Sequence, residues 1–288
     1  MQSRPANVMD NPNADRVKRV AQLAGRSAVR DRRQQFLAEG PQSAGEAIQA
    51  HLGLLDLSSE AHKFWPTGRT VAEVYYTPEL ASRHPELMNL VQKLQPEVFV
   101  SETSGRVLQA MSDAVVHQNI IAVVNLPSSD FAPPPTAQLI AGLVRVQDPG
   151  NAGTIIRTAD AAGADYVFTT QQTVDVFNPK VVRSTAGSIF HIPVYVNVDL
   201  QSFRSNYQHQ ILAADGYGDV RLDQTTPSVL GQPTAWLFGN EARGLDDEAL
   251  ALADARVAVP LYGLAESLNV ATAATICLYS SAMAQSHT

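Results

Sequence analysis

Asp148-Pro-Gly-Asn-Ala-Gly-Thr-Ile-Ile-Arg-Thr-Ala-Asp-Ala-Ala-Gly163 is the stretch from which this 288-residue sequence is best read. It follows the apolar run 139–146, which has strand composition, and its residues 154–162 carry helical spacing. Two later stretches have the same character. Phe238-Gly-Asn-Glu-Ala-Arg-Gly-Leu245 follows a predicted strand at 235–238. Val259-Pro-Leu-Tyr-Gly-Leu-Ala-Glu-Ser-Leu-Asn-Val-Ala-Thr-Ala-Ala274 follows one at 255–259 and runs into a long helix from Asn269 to about Met283. Junctions rich in Gly and polar residues, at the carboxyl ends of parallel strands, are where α/β proteins bind ligands.

None of the three contains G-x-G-x-x-G or G-x-x-x-x-G-K-[ST], so neither a dinucleotide fingerprint nor a phosphate loop is present. None of the seven histidines lies in them, and no Ser/His/Asp set stands out, which argues against a hydrolase or a kinase. A single cysteine, Cys277, excludes an internal disulfide framework and a cysteine-cluster metal site; on the closing helix it reads as core. Trp65 and Trp236 read as packing residues. No apolar run approaches the roughly 18 residues that span a bilayer, and the N-terminus lacks the apolar segment of a secretory signal. The expectation is a cytoplasmic protein that spans no membrane.

Outward from these stretches, further strands are predicted at 166–169, 192–196 and 210–214. Upstream, Asn125-Leu-Pro-Ser-Ser-Asp-Phe-Ala-Pro-Pro-Pro-Thr136 is a stiff, proline-rich linker. Before it, strands at 71–76, 98–100 and 120–124 alternate with helices at 43–51, 85–94 and 105–112, the rhythm of a separate α/β domain. Apolar spacing also predicts a helix over 14–38. The expected organisation is therefore a domain at 1–125, a linker at 126–138 and a second domain at 139–288.

Charge divides along the same line. Residues 1–145 are balanced, and residues 146–288 carry seven basic against fourteen acidic side chains, the whole net charge of −7. Within the balanced half, Arg16, Lys18, Arg19, Arg26, Arg30, Arg32 and Arg33 face only Asp31. Such runs are commonly solvated helix faces; the sharper alternative is an arm that contacts phosphates.

The three stretches resemble, in order and spacing, the signature motifs of the SpoU (TrmH) branch of the SPOUT RNA ribose 2′-O-methyltransferases. The first motif is matched by Asn151, Gly153, Arg157, Thr158 and Ala159, the second by Gly239, Glu241, Gly244 and Leu245, and the third by Pro260 and Ser267-Leu-Asn-Val270. Asn178-Pro-Lys180 through Ser184-Thr-Ala-Gly187 resembles the family's connecting segment, and Arg32 to Gly40 the opening of its substrate-binding domain. The resemblance covers about residues 139–284.

It implies an α/β fold in which a C-terminal SPOUT trefoil-knot domain, built on a parallel sheet, follows a small ribosomal-protein-like α/β RNA-binding domain. It implies S-adenosyl-L-methionine as cofactor, a homodimer, no metal, and RNA as substrate. A separate N-terminal domain favours ribosomal over transfer RNA; a transfer-RNA methyltransferase, or an RNA-binding protein of this fold that has lost catalysis, are the alternatives. By the resemblance, Asn151, Arg157, Glu241, Ser267 and Asn269 are the catalytic set. Gly239, Asn240, Val259, Leu261 and Leu268 are the cofactor-binding set, with the glycine allowing close approach. Arg26, Arg30, Arg32 and Arg33 are the RNA-binding set. A guanidinium is too weak an acid to serve as a base at neutral pH, so Arg157 is expected to grip phosphate and stabilise the developing alkoxide. Read without the resemblance, Arg157 pairs with Asp160 or Glu241, Asn151 caps a helix beginning near Gly153, and Ser267 or Asn269 caps the last helix.

Overall fold

The computed structural model describes residues 8–128 and 132–286, so residues 129–131 of the expected linker lie outside the described residues. The chain forms two compact units, Met1–Pro127 with Asp175–His191, and Ser128–Val174 with Ile192–Thr288.

The first unit opens with α1 (Asp15–Gly25) and α2 (Ser27–Arg33), followed by β1 (Gln35–Glu39), α3 (Pro41–Leu52) and α4 (Ser59–Phe64). Then come β2 (Val71–Tyr76), α5 (Glu79–Arg83), α6 (Pro85–Lys93), β3 (Phe99–Glu102), α7 (Gly105–Met111) and β4 (Ile120–Asn125). The strands form a sheet of order β1-β4-β2-β3, antiparallel except for the β2/β3 pair.

The single helix expected over 14–38 is corrected here. Extended backbone at Arg26 separates α1 from α2, and Gln34 turns left-handed (φ 53°) and closes α2. The next five residues pair with β4, Gln35 opposite Asn125 through Glu39 opposite Ile121. Successive strand side chains point to opposite faces, and both faces of β1 are covered. Leu37 joins Val17, Val20 and Leu23 of α1 and Val107, Leu108 and Met111 of α7 in one core. Phe36 meets Trp65, Phe177 and Phe190 on its own face, with ring centroids 5.0–6.2 Å apart. A strand buried on both sides has no polar alternation to distinguish it from a helix.

Phe177 and Phe190 belong to residues 175–191, which sequence reading puts inside the C-terminal domain and which pack within the first unit. The Trp65 indole donates to the Ile189 carbonyl at 3.0 Å. Arg183, on α9 (Pro179–Ser184), pairs with Glu39 at 2.9 Å and Asp113 at 2.6 Å.

The second unit contains β5 (Leu139–Leu143), α8 (Pro149–Ala161), β6 (Tyr166–Thr169), β7 (Val194–Tyr195), α10 (Leu200–Asn206) and β8 (Gln210–Ala214). It continues with β9 (Val220–Arg221), α11 (Pro227–Leu230), β10 (Thr234–Phe238), α12 (Asp247–Leu252), β11 (Ala255–Ala258) and α13 (Val270–Gln285). All seven strands run parallel, in the order β7-β6-β5-β10-β8-β11-β9. Central strands β5 and β10 are buried throughout, as a sheet covered on both faces requires. Helix α13 packs on α8, with the Thr158 and Thr275 hydroxyls 3.3 Å apart, and Trp236 of β10 donates to Ser281 of α13 at 3.0 Å. Cys277 is buried in this layer, and burial pushes its thiol pKa up, so it stays a protonated core side chain. Among the described residues no helix is long and apolar enough to cross a membrane.

Candidate active site

The carboxyl ends of β5, β10 and β11 carry the three motif stretches, and one hydrogen-bonded chain joins them. Asp148 caps α8 by accepting from the Asn151 amide at 2.8 Å, with Pro149 at the first helical position. The cap therefore falls three residues before Asn151, which sits in the first turn with its side chain free for another task. Its Nδ2 donates to Glu241 Oε1 at 3.1 Å, and its Oδ1 accepts from Asn269 Nδ2 at 2.9 Å. Glu241 also accepts from the backbone amides of Gln147 at 3.1 Å and Asp148 at 3.0 Å. At the far end, Asn269 Oδ1 caps α13 by accepting from Ala271 at 2.9 Å and Thr272 at 3.3 Å.

Glu241 is the electrostatic centre of this chain. Burial pushes its pKa up, but the Asn151 amide and the Asp148 and Gln147 N–H groups outweigh burial and hold it below the usual carboxylate value. At neutral pH it is an anion with three inward donors. That fixes the direction of the chain: Asn151 must turn its NH₂ to Glu241 and its oxygen to Asn269.

The second motif loop is shaped from within. Asn240 and Gly244 exchange both backbone hydrogen bonds, Gly244 takes φ +69°, and Asn240 Oδ1 accepts from Ala242 and Arg243. A Cβ on Gly239 would lie 2.3 Å from the Gly244 carbonyl carbon, so the closed loop itself requires glycine here. Asn240 Nδ2 donates to the Arg145 carbonyl at 3.0 Å. The Asn240 side chain, expected on the cofactor, is thus engaged at both ends in holding the loop.

Arg157 and Ser267 stand outside the chain. Arg157 is exposed on α8, about 9 Å along the axis from Asn151, and pairs with neither Asp160 nor Glu241; no described residue holds it. Ser267 is exposed and makes no hydrogen bond to a described residue. Between β11 and α13, the stretch 259–268 donates and accepts no backbone hydrogen bonds among the described residues. It carries Val259 and Leu268 half-buried and Leu261 at 40% exposure. Free backbone donors and acceptors flanked by apolar side chains are what an adenosine needs, so Val259, Leu261 and Leu268 fit the expected cofactor.

The basic run is partly corrected. Arg16 and Arg19 pair with Glu73, and Arg16 lies over the Phe99 ring. Arg30 is only 3% exposed, donates to the Leu23 carbonyl at 2.7 Å and pairs with Asp175. Arg30 therefore leaves the RNA-binding set, because a charge buried this deeply requires a fixed partner. Arg26 and Arg32 are exposed and Arg33 half-buried, and these three form no ion pair among the described residues.

Sequence reading missed two residues here. Asp148 was legible, since Asp-Pro is a helix-start signature. Arg145 was not: a left-handed arginine (φ +56°) leaves no mark in sequence. Its N–H is shared by the Thr170 and Thr173 hydroxyls, at 3.2 and 3.1 Å.

The family described as SpoU rRNA Methylase matches residues 138–279. The 23S rRNA guanosine 2′-O-methyltransferase RlmP of Bacillus subtilis is 42% identical over 175 residues, 59% of this chain and 67% of the relative. A tRNA/rRNA methyltransferase of Synechocystis, itself uncharacterised, is 30% identical over 87% of this chain and 89% of its own. Among solved structures, the SpoU methyltransferase AviRb of Streptomyces viridochromogenes, in complex with AdoMet, superimposes with a TM-score of 0.75. It is 26% identical, over 96% of this chain and 100% of that one.

Proposed function

The chain belongs to the SpoU rRNA methylase family, and from that premise we propose that it transfers a methyl group from S-adenosylmethionine to a ribose 2′-hydroxyl of ribosomal RNA. The observation that carries the reading is the unbroken chain Glu241–Asn151–Asn269, which ties one residue of each motif to the next. Relatives named as ribosomal-RNA 2′-O-methyltransferases support the choice of RNA. When bound, the cofactor supplies an electrophilic methyl on a sulfonium.

This chain's own residues then have two tasks. Leu261, Leu268 and Val259, with the backbone of 259–268 that is unpaired among the described residues, bind and orient the adenosine. Arg157, exposed and without a partner among the described residues, grips the phosphate beside the reacting ribose and stabilises the oxygen as its proton passes to solvent. Glu241 does not take that proton: its lowered pKa and three donors mark it as a positioning residue. Positioning of this kind supplies several kcal/mol of the acceleration.

The same reading makes the protein a cytoplasmic homodimer, with α13 passing through a loop of the knotted domain and the sites assembled near the subunit interface. Ile276, Tyr279 and Met283, exposed on α13 at 37–57%, support a partner surface there. The 1–125 domain, through Arg26, Arg32 and Arg33, supplies RNA affinity.

The test is methyl transfer from labelled S-adenosylmethionine by the purified full chain to total RNA. Label recovered in a 2′-O-methylated nucleoside of ribosomal RNA is expected. Label on a base, or in transfer RNA alone, overturns the reading.

A further inference from the structure

Beside the Glu241 chain, at the carboxyl ends of β5 and β6, lies a cleft of about 140 Å³ that none of the motif residues lines. Val144 and Leu200 form its buried floor, with Val198 beside them. Arg145, Asp246, Glu248 and Gln171 stand at its polar rim.

The walls are held rigidly and at a cost. Left-handed non-glycine residues follow each of the three successive strands: Arg145 after β5, Gln172 after β6 and Asn197 after β7. Such conformations cost on the order of 1 kcal/mol each and persist where the surroundings enforce them. Here the loops are laced together, Thr170 N–H to Leu143, Val198 N–H to Thr169 and Asn240 Nδ2 to Arg145. The cleft is therefore preformed.

Its charge decides what it takes. Asp199, Asp246 and Glu248 outnumber the single Arg145, so a phosphate is repelled and the occupant is neutral. Asp199 Oδ1 accepts from Ser202, and Asp246 uses Oδ1 on Ala249 and Oδ2 on Arg145 at 2.8 Å. Among the described residues Glu248 has only a 3.4 Å contact from Gln201, and the half-exposed Arg145 guanidinium keeps further N–H donors. The rim thus offers N–H donors on Arg145 and an anionic acceptor on Glu248 above an apolar floor. A planar ring with a carbonyl next to an N–H matches that pair.

We propose that this cleft holds an unpaired keto base of the RNA substrate, guanine or uracil, with Arg145 on its carbonyl and Glu248 on its ring N–H. With the ring seated the same way, adenine and cytosine set an amino group against Arg145 and a bare ring nitrogen against Glu248, so donor meets donor and the carboxylate meets a lone pair. Unpaired bases read by their edges are the usual basis of sequence-specific RNA recognition. The assignment rests on the methyltransferase reading above and adds a base preference to it.

The test uses the full chain with S-adenosylmethionine present and fluorescein-labelled hexamers of uridine, cytidine and adenosine, followed by anisotropy. Wild type is expected to prefer oligouridine by about tenfold. Glu248→Ala and Arg145→Ala should each reduce that preference toward unity. Glu248→Ala keeps the fold in any case, because Glu248 is exposed and nearly unpartnered. Equal binding of the three hexamers by wild type, binding of none, or a preference that survives Glu248→Ala overturns the proposal. So does a uniform gain for all three hexamers in Glu248→Ala, which would mark a phosphate site. Calorimetry with S-adenosylmethionine runs alongside: a wild type that fails to bind it sinks the methyltransferase reading instead.

Discussion

Asn269→Asp separates the two tasks that one side chain performs. Oδ1 of Asn269 caps α13, while its Nδ2 donates to Asn151. An aspartate keeps the cap and gains about 0.3–1 kcal/mol from the helix dipole. It loses a hydrogen bond that contributes about 0.5–1.5 kcal/mol. The two nearly cancel, so the melting temperature should move by no more than about 2–4 °C. The site does not recover in the same way. A carboxylate now faces Asn151 Oδ1 across a 2.9 Å contact, and flipping the Asn151 amide only turns its oxygen onto Glu241. Asn151 has no orientation that satisfies both neighbours. Misplacement of about 1 Å in a positioning group costs on the order of 10²-fold in rate, and that loss is expected here. Melting curves and initial methyl-transfer rates on ribosomal RNA would be measured together for wild type, Asn269→Asp and Asn269→Ala. The alanine variant, which loses the cap, should be less stable by about 1 kcal/mol. A stable Asn269→Asp protein with wild-type turnover would refute the positioning argument.

Arg30→Ala should cost about 2–4 kcal/mol in urea unfolding, discounted from a fully buried pair because Asp175 is partly exposed; unchanged stability would restore Arg30 to the surface set. Replacing Arg26, Arg32 and Arg33 together should leave stability nearly intact and flatten the salt dependence of RNA binding by roughly one unit per lost contact. An identical slope would make the run a solvated face. A fragment of residues 136–288 should aggregate on size exclusion, because Phe177, Val181, Val182, Ile189 and Phe190 lose the packing they have in the first unit; a monodisperse fragment that binds cofactor like the full chain contradicts this. Glu241, with its lowered pKa, contributes stability that is present above the ordinary glutamate range and lost as pH falls through its folded value. The melting difference between wild type and Glu241→Gln should therefore hold steady near neutrality and shrink only in acid. A difference that changes between pH 6 and 8 is the contrary result.

Much of this was legible because it is written in local chemistry. The strand–loop–helix junctions, the Asp-Pro helix start and the Asn cap of α13 follow from spacing and capping rules, and β6, β8 and β10 fall where apolar runs put them. What failed depends on partners distant in sequence. Phe36 and Leu37 continue a helical pattern until β4 pairs with them. Arg30 reads as surface charge until Asp175, 145 residues away, meets it. Residues 175–191 resemble part of the catalytic domain, yet Phe177 and Phe190 find their aromatic partners, Phe36 and Trp65, in the first unit. At the site, the family resemblance named Asn151, Glu241 and Asn269, and the structure adds the order in which they bond.

The central claim, ribose methylation of ribosomal RNA by the Glu241–Asn151–Asn269 site with Arg157, is tested most directly by mapping 2′-O-methyl groups across total RNA. The comparison is a strain lacking the protein, the same strain supplied with wild type, and the same strain supplied with Arg157→Ala. One ribosomal-RNA methyl group should vanish, return with wild type and fail to return with Arg157→Ala. An unchanged ribosomal map, or full restoration by Arg157→Ala, contradicts the account.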